Sequence, residues 1–196
     1  MHSKINIILA GVGGQGILTI AAILDTAALD NNLNIKQSEV HGMSQRGGAV
    51  QSHVRISDQP IYSDLIPQGK ADLIISVEPM ELLRYLPFLK KDGYLITDSN
   101  PFENISNYPE LETIYDEIKS HKNHILIDAM KIAKDLGNSK ATNIVLLGAA
   151  SSLIPLSDES FQKAIATLFE RKGERIVSKN LEAYLKGKEI AAEIVS

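Results

Sequence analysis

Cysteine is absent from the 196 residues. The chain therefore supplies no disulfide, no thiolate nucleophile and no sulfur ligand for zinc or an iron–sulfur cluster. Positive charge is not in excess either. The 20 Lys and Arg stand against 24 Asp and Glu, for a net charge of −4. That balance argues against a polybasic nucleic-acid binder, because phosphate neutralisation needs clustered cations. Long apolar runs are also lacking. The longest, Ile144 to Leu156, is broken by Ser151 and Ser152 and is too short to cross a bilayer. Met1-His2-Ser3-Lys4 leads straight into a strand-like stretch, without the apolar core and small-residue cleavage site of a secretory signal. A soluble cytoplasmic protein is the expectation. Core-forming residues are plentiful, at 44% hydrophobic, and the length suits one domain over 1–196.

Apolar runs of strand length alternate with segments of helical period, the pattern of an α/β fold on a mostly parallel, Rossmann-like sheet with helices on both faces. Ile5 to Ala10 is apolar at nearly every position and reads as a strand covered on both sides. A helix follows, ending near Asn31, and a second strand spans Asn34 to Val40. Val50, Ser52, Val54 and Ile56 alternate with Gln51, His53 and Arg55, which marks a half-buried strand. With a turn at 57–60 and a returning strand at Ile61-Tyr62, 49–63 is expected to form an antiparallel hairpin added to the sheet. Further strands are expected at 72–77, 94–97 and 125–127, and a helix at 79–86 opened by Pro79. The segment 99–123 reads as an irregular surface excursion. From 128 onward the chain is helical, at 128–136, 141–153, 158–170 and 174–194. Ser157 is expected to cap the third of these.

Gly11-Val12-Gly13-Gly14-Gln15-Gly16 fits the G-x-G-x-x-G pattern between a strand and a helix. Glycines permit the turn and let backbone approach a ligand, while amides at the helix start face an anion. The same glycines also serve close packing of strand on helix, and the pattern leaves both readings open. A dinucleotide site further wants an acid at the end of the second strand. Glu39 stands near that place, so a stand-alone NAD(P)-dependent dehydrogenase is the alternative reading. However, the loop after Glu39 is unusual for such a site, and no catalytic proton donor is evident.

That loop, His41-Gly42-Met43-Ser44-Gln45-Arg46-Gly47-Gly48, is polar and Gly-rich. In an open sheet it shares the carboxyl-end crevice with the first turn. His41, Ser44, Gln45 and Arg46 would then join the Gly11–Gly16 amides around one anion, with Arg46 giving charge-assisted bonds and Gly47 close approach. A structural turn with Arg46 paired locally is the competing reading.

The run Glu39-Val40-His41-Gly42-Met43-Ser44-Gln45-Arg46-Gly47-Gly48 resembles the signature of the gamma-type domain of 2-oxoacid:ferredoxin oxidoreductases, in the form carried by the small subunit of the indolepyruvate enzymes. The likeness extends over Ile7 to Gly16, Ala71 to Ile74, Glu78 to Glu81 and Ala141 to Gly148, which is nearly the whole chain. It implies one subunit of a complex that oxidatively decarboxylates an aryl 2-oxoacid to its acyl-CoA, with iron–sulfur protein as acceptor. It also implies that thiamine diphosphate and the iron–sulfur clusters sit on a large partner subunit, and that ferredoxin is met through the complex. The isolated chain is then expected to be inactive, and a homodimer of it is left open. The cofactor-facing residues so implied are Gly11, Gly13, Gly14, Gln15, Gly16, Ser44, Arg46 and Gly47, with CoA the candidate ligand. No catalytic residue and no metal ligand is assigned. A thiamine motif needs Gly-Asp-Gly, whereas Asp92-Gly93 follows Lys91 and reads as a turn.

Other residues admit two readings. His53 and Arg55 share a strand face and form either a basic rim or a solvated surface. Asp98, Ser99 and Asn100 polarise a ligand or make an Asx turn. Glu78 faces the crevice or caps a helix. His121, Lys122 and His124 lack a carboxylate at ligand spacing. Asn104-Ile105-Ser106 matches a glycosylation sequon that a cytoplasmic chain does not use. The stripe Ile176, Leu181, Leu185, Ile190 and Ile194 covers the sheet or meets a partner.

Overall fold

The computed structural model describes residues 4–41, 47–103 and 105–195. Among them, β1 (Lys4–Val12), β2 (Asn34–His41), β3 (Ala49–Ser57), β4 (Ala71–Ser76), β5 (Leu89–Asp98) and β6 (His124–Ile127) form one sheet, ordered β2-β3-β1-β4-β5-β6. The pairs β1–β4, β4–β5 and β5–β6 are parallel. β3 is antiparallel to both its neighbours, β1 and β2.

Strand alternation sends Ile5, Ile7 and Leu9 to one face and Ile8 and Ala10 to the other. The first face is covered by α1 (Ile17–Asp30) and α5 (Thr142–Ala150), with α4 (Ala129–Asp135), α6 (Asp158–Phe169) and α7 (Glu174–Val195) joining the same core. The second carries α2 (Pro79–Arg84) and α3 (Leu111–Ser120) around Ile74, Leu82, Ile114 and Ile118. α5 is buried at nearly every residue because α7 lies across it. The crossing is close at two glycines. A β-carbon on Gly148 would overlap the backbone of Tyr184, and one on Gly187 would overlap that of Val145. Ser157 caps α6 as expected, accepting from the Ser160 amide at 3.2 Å.

Several elements differ from the sequence reading. The hairpin is β2–β3, not a return at Ile61-Tyr62, where the chain leaves the sheet. Pro60 lacks an N–H donor, and Arg55 Nη1 donates to the carbonyls of Ser63 (2.8 Å) and Leu65 (3.1 Å), so this stretch lies along side chains rather than in a ladder. Lys91-Asp92-Gly93 is not a turn before β5 but part of it. The register slips there, from Ala71 opposite Leu89 to Leu73 opposite Tyr94, and Lys90 pairs with Asp72 at 2.6 Å. The 79–86 helix ends at Arg84 and tightens into a single 3₁₀ turn over Leu86–Phe88. Within the supposed excursion 99–123, α3 buries Ile114 and Ile118 on its inner stripe.

Candidate functional site

β1 ends at Val12, and the glycine-rich turn begins. Gly11 takes φ 156°, and Gly16, the residue before α1, is left-handed at φ 78°. Both conformations favour glycine. A β-carbon on Gly16 would also come within 2.6 Å of the Asn143 amide nitrogen. Inside the turn, Gln15 folds back so that its Oε1 accepts from the Val12 amide at 2.7 Å. The Gly13 amide donates to the Gly48 carbonyl at 2.9 Å. The far end of the 41–48 loop is thus tied to the first turn, as the pairing of Val12 with Ala49 requires.

A cleft of about 680 Å³ opens beside this turn, at the carboxyl ends of β1, β4 and β5. Gly14, Gln15, Gly16 and Thr19 form one wall. Val77, Asp98, Asn100 and Phe102 form the next, followed by Met130 and the 138–143 segment leading into α5. Lys172 and Asn180 close the far side. The N-termini of α1 and α5 both open on this space, and their dipoles favour negative charge there. Lys140 and Lys172, both exposed, add formal positive charge.

The two helix starts are joined by one side chain. Asn143 is buried; its amide nitrogen donates to the Gly16 carbonyl at 2.9 Å, and its oxygen accepts from the Ile144 amide at 3.0 Å. Asp98 is 1% exposed. Its Oδ1 accepts from the Ala129 amide and from Asn100 Nδ2, each at 2.9 Å, while Asn100 also reaches Asp128 at 2.7 Å. Burial pushes the Asp98 carboxyl above its ordinary range, and these donors pull it back. Asp98 therefore props the rim and the start of α4.

Glu78 resolves in favour of capping: it accepts from the Glu81 amide at 2.6 Å and is completely buried. Its Oε1 also takes the Tyr108 hydroxyl and the Phe102 amide (3.4 Å), which ties those two residues to the start of α2. Burial raises its pKa against these bonds.

Of the residues expected at the site, Gly14, Gln15 and Gly16 line the cleft. Gly11 is buried beneath Gln15 and Ile17, and Gly13 is engaged by Gly48. Gly47, left-handed at φ 76°, stands 4.0 Å from the Phe102 ring when a β-carbon is placed on it. Ser44, Arg46, Gly42, Met43, Gln45 and the side chain of His41 lie outside the described residues, as does Asn104 of the sequon. Neither reading of His53 and Arg55 holds. His53 is buried, accepts from the Ile66 amide at 3.0 Å and meets the Phe88 ring edge-on. Arg55 bonds Asn6 at 3.0 Å besides Ser63 and Leu65. Both side chains fasten the 63–66 segment to the sheet. Glu39 is displaced from a ribose-binding position because β3 lies between β2 and β1. A dinucleotide ribose site needs those strands adjacent, so the dehydrogenase reading fails. Among the described residues no group of three or more His, Asp or Glu converges as a metal site, and none of the helices is long and apolar enough to cross a membrane.

Sequence reasoning did not assign roles to Asn143, Phe102, Lys140, Lys172 or Asn180. The available signal was a polar Asn143 placed one residue inside an otherwise apolar helix, where a buried amide needs a partner.

A family model described as pyruvate ferredoxin/flavodoxin oxidoreductase matches residues 6–190. Subunit IorB of indolepyruvate oxidoreductase from Pyrococcus horikoshii is 39% identical over 201 residues, covering 97% of this chain and 98% of that one. Subunit KorC of 2-oxoglutarate synthase from Methanocaldococcus jannaschii is 34% identical over 189 residues, covering 95% and 93%. The gamma subunit of a keto/oxoacid ferredoxin oxidoreductase from Geobacter sulfurreducens superposes with a TM-score of 0.71 at 28% identity, covering 96% of this chain and 99% of that one. A 2-oxoglutarate:ferredoxin oxidoreductase from Magnetococcus marinus, with 2-oxoglutarate, coenzyme A and succinyl-CoA bound, gives a TM-score of 0.79 at 23% identity. This chain covers 31% of that longer one, and the likeness there is one of fold.

Proposed function

This chain belongs to the pyruvate ferredoxin/flavodoxin oxidoreductase family, and we propose that it is the cluster-free small subunit of an indolepyruvate, or more broadly aryl 2-oxoacid, ferredoxin oxidoreductase. The observation that carries this reading is the end-to-end match to indolepyruvate oxidoreductase small subunits. In the whole complex the 2-oxoacid loses carbon dioxide, its acyl group passes to the thiol of CoA, and the electrons released go to ferredoxin. Thiamine diphosphate and iron–sulfur clusters supply that chemistry. The donor set here does not fit them: there is no cysteine to hold a cluster and no Gly-Asp-Gly for the thiamine metal. Those groups fall to a large partner subunit, and the assembly works in the cytoplasm.

This chain's own contribution is to shape and charge a wall. The amides of the Gly14–Gly16 turn, the start of α5 and the Lys140 and Lys172 ammonium groups favour an anionic group in the cleft. A phosphate of CoA is the candidate, and Ser44, Arg46 and Gly47 are proposed as further ligands for it. None of these groups exchanges a proton or electron with the substrate. They hold and orient it.

Reconstitution tests the reading. The isolated chain, given indolepyruvate, CoA and oxidised ferredoxin, is expected to reduce no ferredoxin, and adding the large subunit is expected to start turnover. Reduction by the isolated chain sinks the assignment. In the complex, Arg46→Ala and Lys172→Ala are each expected to raise the KM for CoA. An unchanged KM in both removes CoA from the cleft.

A further inference from the structure

Beyond the cleft, one surface combines an open strand, exposed leucines and an unsatisfied carboxylate. β2 is eight residues long and forms one edge of the sheet. Among the described residues no strand pairs with its outer side. A long open edge is a template for another chain unless something covers it. The other edge, β6, is only four residues long.

α1 runs beside this edge. Leu18, Ala22, Asp25 and Leu29 recur at spacings of four, three and four, so they share one stripe of the helix. It is not the core stripe: Leu18 is 41% exposed and Leu29 61%. Within the stripe, Asp25 Oδ1 is buried and has no hydrogen-bond partner among the described residues. Glu39 on β2 adds a second carboxylate on the same face, with Gln37 donating to it at 2.5 Å and to Ser52 at 3.2 Å. Burial first, and then the Glu39 charge, raise the Asp25 pKa to about 6. No Lys or Arg salt bridge to Asp25 is present among the described residues. A buried carboxylate oxygen without a partner is costly, and a cation brought by a partner to the half-buried Asp25 side chain offsets part of that cost through its charge.

We propose that the outer edge of β2 and the Leu18–Leu29 stripe of α1 form a docking surface for an extended segment of the large partner subunit, with a Lys or Arg of that segment reaching Asp25. The segment adds a strand to the sheet through backbone bonds, and its apolar residues cover Leu18 and Leu29. Charge decides against a second copy of this chain as occupant. Two-fold pairing of β2 edges would bring a second copy of Asp25, whose Oδ1 has no partner among the described residues, to the same seam, adding like charge and no cation to meet it. The proposal rests on the reading that a large subunit exists, and it names the face that meets it.

The test uses the co-expressed large subunit and this full chain. A photo-reactive phenylalanine placed at Leu29 is expected to crosslink to a large-subunit peptide that contains Lys or Arg, whereas one at Glu112 on α3 is not. Asp25→Asn, which keeps the shape, is expected to weaken the complex about thirtyfold. The unfolding midpoint of the isolated chain should stay the same or rise, a result that loss of folding does not give. Leu29→Glu, at an exposed position, is expected to weaken it as well. A Leu29 crosslink to a second copy, or a complex that forms with neither a Leu29 crosslink nor a loss in Asp25→Asn, overturns the docking surface alone. Failure of the wild-type chain to bind any large subunit overturns the functional reading and the docking surface with it.

Discussion

The two halves of the sheet are built differently and serve different ends. β1, β4, β5 and β6 run parallel, so their carboxyl ends meet at one rim, and the connections that follow β1, β4 and β5 build the cleft there. Helices cover both faces of this half, and β1 is buried over all but its first residue. The β2–β3 flank is antiparallel. It has α1 on one face, the 58–70 segment fastened across the other by His53 and Arg55, and an open outer edge. Parallel strands concentrate polar loops at one end and make a pocket, as open α/β sheets do. The antiparallel addition leaves backbone available sideways and makes a surface.

The largest effect should come from the helical layer behind the parallel half. Gly148→Ala forces a methyl into the backbone of Tyr184. Overpacking against backbone rather than a flexible side chain is expected to cost about 3 kcal/mol or more, read by guanidinium unfolding. A loss well under that would show the α5–α7 crossing to be compliant. Asn143→Ala comes next. It strips the Gly16 carbonyl of a buried donor, for about 1–3 kcal/mol, and hydrogen exchange should quicken in the turn at 13–18 while β2 and β3 keep their protection. Faster exchange in both halves would erase the distinction drawn between them.

On the flank, Arg55→Ala removes the donors to Ser63, Leu65 and Asn6. About 1–2 kcal/mol should be lost, with new proteolytic cleavage confined to 58–66. The smallest effect is a pH dependence. The folded-state pKa of Asp25 is raised from 3.8 to about 6. Between those values the folded chain keeps a proton that the unfolded chain has released, so stability falls as pH rises through the window. Partial exposure holds this to about 1 kcal/mol. Asp25→Asn should flatten that slope, and an unchanged slope would place the titration elsewhere.

Much of the parallel half was legible in the residues. Ile5 to Ala10, the glycine turn, the periodic helix after it and the apolar run at 72–77 each declare their structure locally, because burial on both faces leaves few polar positions. The flank was less legible. The period of two at 49–57 identifies a strand but not its neighbours, and strand order is a long-range outcome. Local pattern thus pairs β3 with a return at Ile61-Tyr62, whereas its partners are β1 and β2. α3 went unread because Pro101, Pro109 and many polar residues masked the Leu111, Ile114, Ile118 spacing. At the site, glycines announced the turn, but the Asn143 brace joins residues 127 positions apart and has no local signature.

That brace couples distant parts of the molecule. Through it the Gly16 carbonyl is geared to α5, and α5 meshes with α7 at Gly148 and Gly187, where there is no slack for sliding. The lip of the cleft, α5 and the carboxyl-terminal helix are therefore one continuously packed body, with a hydrogen bond at one junction and backbone against backbone at the other.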